Sequence, residues 1–288
     1  MKILVALDFS GNSTHAAEQA IIWSQAREVE LGFVYVSKVL TPTGSLNYGV
    51  PVESSAQHIA KRKEDLKQFV DEIKSRYKIS KEFDITYLVE NSAKSSDGIV
   101  KAAKEWGADL ILMGNKGESN VSTKLFGSTT TAVLDKTDVP VITIPSEYLK
   151  NDWNTIGLGT DLVSIETDIM SNADLLKRIS DKMDLVHISP VYPEKVSLNE
   201  FNVEELQSRL QSTTGIDFRW KLITTTKEND ITGGMEKYVT ENNPDMLIMF
   251  YTRRNWFEKL IDSSATKSMV LSNRAAVLSI KRNPKISS

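Results

Sequence analysis

Asp109-Leu110-Ile111-Leu112-Met113-Gly114-Asn115-Lys116-Gly117, followed nine residues later by Gly127-Ser128-Thr129-Thr130, is the stretch that decides the fold of this 288-residue chain. Its opening run, Asp109–Met113, is short and apolar without alternation, as a strand buried on both faces is. Gly114 and Gly117 end that run, and Ser128 opens a helix predicted over Ser128–Lys136. A further strand is expected at Val139–Ile144. Strands separated by a helix need a crossover, and crossovers make a sheet parallel.

The residues before this stretch follow the same alternation. Ile3–Leu7 reads as a strand, and Asp8-Phe9-Ser10-Gly11-Asn12-Ser13 breaks it and caps a helix. That helix carries Ala16, Ala17, Ala20, Ile21 and Trp23 at helical spacing, and Leu31–Val36 is again strand-like. Lys38–Gln57 contains Pro42, Gly44, Gly49 and Pro51 and reads as a long loop, which in a compact domain usually serves function or mobility. A charged amphipathic helix from about Glu53 to Tyr77, a strand at Phe83–Val89 and a helix at Ser95–Trp106 complete the set. The predicted class is α/β: a doubly wound, five-stranded parallel sheet with helices on both faces. Ligands of such sheets bind at the carboxyl ends of the strands, where strand order reverses. Here that means the loops at Asp8 and Gly114.

The second half of the chain retraces the first. Ile156–Asp161 answers Ile3–Asp8, Leu185–Ser189 answers Phe33–Ser37, Pro244–Met249 answers Ala108–Met113, and Ala276–Ile280 answers Pro140–Ile144. Two domains of the same class are therefore expected, at 1–147 and 152–283. Asp8 and Asp161 are 153 residues apart, whereas Asp109 and Asp245 are 136 apart, so the second copy is shorter between those points. The shortening is expected in its counterparts of the long loop and of the helix before the third strand.

A phosphate chain needs backbone N–H groups converging on one hollow with no Cβ in the way. Gly114 is expected to let the chain turn beside a ligand and Gly117 to let it curl. Gly127-Ser128 opens a helix, where free N–H groups and the positive dipole end favour an anion. Ser128, Thr129 and Thr130 add hydroxyl donors and Lys116 a positive charge. Asp8, across the crevice, is placed to accept hydrogen bonds from a ribose or base. Glycine count alone fits a plain turn and a plain N-cap; position at the crevice edge favours binding.

The pattern Gly-x2-Gly-x9-Gly-Ser after a strand ending in Met, with Val5-Ala6-Leu7-Asp8-Phe9-Ser10 at the start, resembles the ATP-binding signature of universal stress proteins. The resemblance implies an adenine nucleotide, ATP, as cofactor, and leaves open whether Mg²⁺ accompanies it. It places Ala6, Leu7 and Asp8 at the adenosine and Val36 at the base. It places Met113, Gly114, Lys116, Gly117, Gly127, Ser128, Thr129 and Thr130 along the phosphates and ribose. It also implies pairing through the last strand, here mimicked inside the chain by Val139–Ile144 beside Ala276–Ile280, with a homodimer of whole chains as a further expectation from family habit. In the second half Phe250 and Arg253 stand at the places of Gly114 and Gly117, and Asp262 at or beside that of Gly127. No ATP site is carried onto that copy, and its Asp161 reads as a turn or helix-capping residue.

Composition excludes several classes. Net charge is -3, with 18 basic and 19 acidic residues up to Lys150 and 17 and 19 after it, so neither half draws nucleic acid by its bulk field. There is no cysteine, hence no disulfide or thiolate chemistry. No apolar run approaches the roughly 18 residues of a membrane span, and a cytoplasmic protein is expected. His15, His58 and His187 lack metal-ligand spacing: His187 should satisfy a local bond in its strand and His15 should lie on the surface. Arg253-Arg254-Asn255-Trp256 reads either as an exposed recognition surface or, preferably, as a loop whose Trp256 and Phe257 fill the place of a missing nucleotide. No catalytic residues stand out. The function expected is ATP-dependent regulation in a stress response, with a slow ATP hydrolase or a ligand-free scaffold as alternatives.

Overall fold

The computed structural model describes residues 1–37, 55–81, 83–115, 126–146, 148–150, 152–160, 164–190, 200–225, 230–252 and 274–282. Most of the expected 38–57 loop lies outside the described residues, as do Lys116, Gly117, Asp161, Arg253, Trp256 and Asp262.

In chain order the first half runs β1 (Lys2–Ala6), α1 (Gly11–Ala26), β2 (Glu30–Ser37), α2 (Ser55–Arg76), β3 (Ile85–Asn91), α3 (Ser95–Trp106), β4 (Leu110–Gly114), α4 (Ser128–Lys136) and β5 (Val141–Ile144). The second runs β6 (Ile156–Thr160), α5 (Ile165–Ser171), α6 (Ala173–Ile179), β7 (Lys182–Pro190), α7 (Glu200–Thr214), β8 (Asp217–Thr225), α8 (Ile231–Asn242), β9 (Met246–Tyr251) and β10 (Ala276–Lys281). The fold is α/β, as the alternation predicts. α7 has 15 residues against 22 in α2, the region in which the second half was expected to be shorter.

All ten strands form one sheet in the order β3-β2-β1-β4-β5-β10-β9-β6-β7-β8. Each half is parallel throughout. The halves meet at β5 and β10, which pair antiparallel with Thr143 opposite Val277 and Ile142 opposite Leu278. Because the seam is antiparallel, the carboxyl ends of the two halves lie at opposite ends of the sheet.

The sheet is a middle layer. Alternate residues of β1, Ile3 and Val5, join Leu66, Val70 and Trp23 in one core, while Leu4 and Ala6 join Ile99, Ala103 and Val133 in the other. The period-2 reversal of side chains thus sends α1 and α2 to one face and α3 and α4 to the other. Residues 148–155 tie the halves together. The Tyr148 hydroxyl donates to the Asp245 carbonyl (2.7 Å), the Gln19 side-chain amide brackets the Lys150 main chain (2.7 and 2.8 Å), and the Trp23 and Trp153 rings lie 4.2 Å apart.

Two packing devices occur twice. Asp109 accepts from the Lys2 amide (2.8 Å), fixing the start of β1, and Asp245 accepts from the Asn154 and Thr155 amides (2.9 and 3.0 Å), fixing the start of β6. A Cβ on Gly98 would lie 2.7 Å from Val36, and one on Gly234 would lie 2.4 Å from Ile188. In both places a glycine lets the helix close onto the carboxyl end of a strand.

Candidate functional site

β1 and β4 are neighbours, while the chain leaves them towards opposite edges of the sheet, towards β2 and β5. Their carboxyl ends therefore open a crevice. It holds about 540 Å³ of empty space, part of it open to solvent. Ala6, Leu7, Asp8, Val36, Met113, Gly114, Thr129 and Thr130 line it together, all of them expected from the sequence. Gly127 and Ser128 stand at the start of α4 and are not among the lining residues.

One wall is the loop after β1. Ser10 caps α1, its hydroxyl accepting from the Ser13 amide at 3.4 Å. Asp8 folds over this cap: its Oδ1 accepts from the Ser10 amide (3.0 Å) and the Ser10 hydroxyl (2.6 Å), and its own amide donates to the Ser13 hydroxyl (3.2 Å). The carboxylate is exposed at the crevice rim. Partial desolvation pushes its pKa up, but the bonds from the Ser10 hydroxyl, the Ser13 hydroxyl and the Ser10 amide outweigh it and hold the carboxyl below its ordinary value. Phe9, between them, takes φ of 62°, a left-handed conformation uncommon outside glycine. Its ring packs on Tyr35 and Phe69 at 5.5 and 5.4 Å, contacts that hold the unfavourable backbone in place.

The opposite wall is α4. Gly127 is its N-cap, with φ of −69° and ψ of 165° and no side-chain hydrogen bond on the first turn. The Gly127 amide donates to the Asn115 carbonyl (2.7 Å), and the buried Thr130 hydroxyl donates to the Gly114 carbonyl (3.2 Å), so the helix start is pinned to the end of β4 from two sides. The first-turn N–H groups that follow have no acceptor within the helix. They form the positive end of the dipole, and among the described residues no side chain of the cap position bonds to them.

The floor is apolar: Ala6, Val34, Val36, Ile99 and Met113. Val34, Ile99, Ser95, Ser10 and Ser13 were not anticipated. The signal for Ser95 and Ile99 lay in the sequence, since the helix after β3 must also begin at the carboxyl edge of the sheet.

Gly114 is the last residue of β4, where the sequence places the end of the strand, and a Cβ there would meet the main-chain carbon and oxygen of Asn12 at 2.8 Å. Its missing side chain lets the first turn of α1 press against the strand.

The histidines stand apart from the crevice lining. His15 pairs with the buried Glu18 at 3.1 Å, His58 with the Ser37 hydroxyl at 3.0 Å, and His187 with the Thr160 carbonyl at 3.2 Å. Among the described residues no group of acidic or histidine side chains is arranged to hold a metal ion, and no helix is long and apolar enough to cross a membrane.

At the matching end of the second half the described residues differ. β9 continues through Phe250 and Tyr251, at the places of Gly114 and Asn115, and both side chains are buried. The Tyr251 hydroxyl donates to the Leu134 carbonyl at 2.7 Å.

Known proteins agree with this architecture. A universal stress protein of Archaeoglobus fulgidus superposes with a TM-score of 0.66 at 15% identity, covering 99% of this chain and 97% of that one. A putative universal stress protein of Pseudomonas aeruginosa does so at 0.60 and 11% identity, covering 97% and 92%. These two show likeness of fold along both halves. Universal stress protein A homolog 2 of Coxiella burnetii is 32% identical over 144 residues, which is 50% of this chain and 93% of that protein. The universal stress protein family model matches residues 1–145. With the crevice and its glycine-capped helix in those same residues, the chain belongs to the universal stress protein family.

Proposed function

We propose that the chain is a tandem universal stress protein, residues 1–147 and 152–283, whose first domain binds ATP and whose second has lost that capacity. The observation that carries the reading is the crevice between Asp8 and the glycine-capped start of α4. The apolar floor of Val36, Ile99 and Met113 suits an adenine ring, and the Asp8 carboxylate at the rim suits a ribose hydroxyl. The first turn of α4, with Thr129 and Thr130, suits phosphate oxygens. Lys116 and Gly117 would add a point charge and a flexible backbone beside them. In the second domain Phe250 occupies the place of Gly114, which supports confining the nucleotide to the first.

We read the β5–β10 pair as the in-chain equivalent of pairing between two such domains. It covers β5, so a homodimer of whole chains would use another surface.

Binding is favoured over hydrolysis by the state of Asp8. A carboxyl held below its ordinary pKa by three hydrogen bonds is a weak base for activating water. The role that follows is regulatory, with nucleotide occupancy biasing contacts of the chain.

Gly127→Asp tests the site. The backbone at Gly127 lies in a region open to any residue, and an aspartate there would cap α4 with its own carboxylate. Stability should hold or rise while the ATP-dependent increase in melting temperature disappears. A wild-type protein without that increase, or a variant that keeps it in full, overturns the reading.

A further inference from the structure

The helix whose start faces the crevice is held at its end from both halves: the Thr137 amide donates to the Val133 carbonyl within the first, and the second reaches further carbonyls there. α4 has nine residues, and the carbonyls of its last turn have no acceptor role inside the helix. Two of them are met from the second half. The Tyr251 hydroxyl, at the end of β9, donates to the Leu134 carbonyl at 2.7 Å. The Lys281 ammonium, at the end of β10, donates to the carbonyl of Thr137, the C-cap residue, at 3.2 Å, and also pairs with Asp138. Both side chains are well enclosed: Tyr251 is 3% exposed, and the Lys281 side chain 11%.

We infer that the second half sets the phosphate affinity of the first by capping the far end of α4. The inference rests on the nucleotide reading above and adds its regulation. A cation and a hydroxyl at the negative end of a helix stabilise the aligned peptide dipoles and the last turn. In a helix of two and a half turns the same dipoles terminate at Ser128, so whatever steadies the last turn also steadies the donors of the first. The start of the helix is already fixed to β4 through Thr130 and Gly127. Its end is held within the first half by Lys136, whose ammonium donates to the Ser96 hydroxyl at 3.2 Å and pairs with Asp97, and by the Thr137 amide on the Val133 carbonyl; Tyr251 and Lys281, each the last residue of its strand, add the hold of the second half. A movement of those strand ends would be felt as a change in grip on phosphate. Tyr251 and Lys281 are positioning residues in this scheme and touch no ligand.

Tyr251→Phe and Lys281→Met remove the two donors while preserving ring and alkyl stem. Dissociation constants for ATP and for adenosine, taken from the ligand dependence of the melting temperature of the full chain, separate the possibilities. Each variant should bind ATP about two- to tenfold more weakly, with adenosine, which lacks phosphate, unchanged. Lys281→Arg should restore ATP affinity. Equal loss for both ligands would mark a general structural defect and overturn the inference, as would unchanged ATP affinity. If Tyr251→Phe fails to fold, Lys281→Met decides. Absence of ATP binding by the wild-type chain would instead overturn the nucleotide reading beneath it.

Discussion

β4 and β9 are matched strands that end differently. β4 stops at a glycine with α1 pressed onto its backbone, leaving a hollow beyond, whereas β9 runs on into two buried aromatic side chains. Elsewhere the halves agree in detail: an aspartate fixes the first strand of each, and a glycine seats a helix on each second strand. What the two halves share is packing between elements, and what differs is a set of small residues at one crevice. On the proposed duplication, selection for folding acted on both copies and selection for a ligand on only one.

The most forceful way to break this contrast is Gly114→Phe, which writes the second half's residue into the first. The new side chain begins where the Asn12 backbone already stands, 2.8 Å away, and backbone cannot step aside as a side-chain tip can. Overpacking of this kind should cost more than about 3 kcal/mol, read as a fall in the urea midpoint. Because α1 must move, the crevice should close and ATP-dependent stabilisation should vanish. A stable variant would show that the first half can adopt the second half's ending freely, and the contrast would lose its physical basis.

A second difference runs the opposite way. In the first half Gly32 leaves room for Trp106, with its ring 3.0 Å from a notional Cβ. At the matched place in the second half Asp184 is buried at 1% exposure, paired with Arg219 (2.7 Å) and bonded by the Tyr238 hydroxyl (2.9 Å), while Gly157 leaves room for the Tyr238 ring. One copy filled the space with an indole and the other with a phenol, a carboxylate and a guanidinium. Tyr238→Phe should therefore cost about 1–3 kcal/mol, because a buried carboxylate oxygen loses its donor. Chemical denaturation measures it; a cost near zero would show that Arg219 alone satisfies Asp184.

Much of this was legible in the sequence, and the failures have causes. The limits of α3 and α4 follow from periodicity and capping residues, and they appear as expected at Ser95–Trp106 and Ser128–Lys136. Strand ends were displaced by a residue or two, as at β1, because strand limits are set by the register of a neighbour and not by local sequence. Of the residues the motif names, Ala6, Leu7, Asp8, Val36, Met113, Gly114, Thr129 and Thr130 line the crevice while Gly127 and Ser128 do not, and Val34, Ser95 and Ile99 came from elements the motif does not include. Gly114 was recognised at the end of its strand, but its contact with Asn12, about a hundred positions earlier, leaves no local mark. That β5 and β10 lie side by side was expected from the family resemblance; the register of the seam is what short apolar strands do not encode one by one.

A smaller effect belongs to the pin between α4 and β4. Thr130→Val keeps the shape of the side chain and removes the hydroxyl that donates to the Gly114 carbonyl. A cost of about 1 kcal/mol in denaturant is expected, together with weaker ATP binding as the helix start loosens. Unchanged ATP affinity would assign the bond to folding alone.

The smallest expected difference is carried by Asp8 and appears only with pH. Its folded carboxyl titrates below the ordinary 3.8, so the bonds from Ser10 and Ser13 contribute in full above that value and fade as pH falls through the folded one. In Asp8→Asn the amide oxygen still accepts from Ser10 but carries no charge. Wild type should therefore exceed the variant in stability near neutrality, by less than about 1 kcal/mol because the group is exposed. The margin should shrink once the medium is more acidic than about pH 4. Stability measured across that range checks it, and a margin that widens towards acid would mean the carboxyl is destabilised in the folded chain. Asp8 would then be a far better proton acceptor than its hydrogen bonds suggest, and the preference for binding over hydrolysis would reverse.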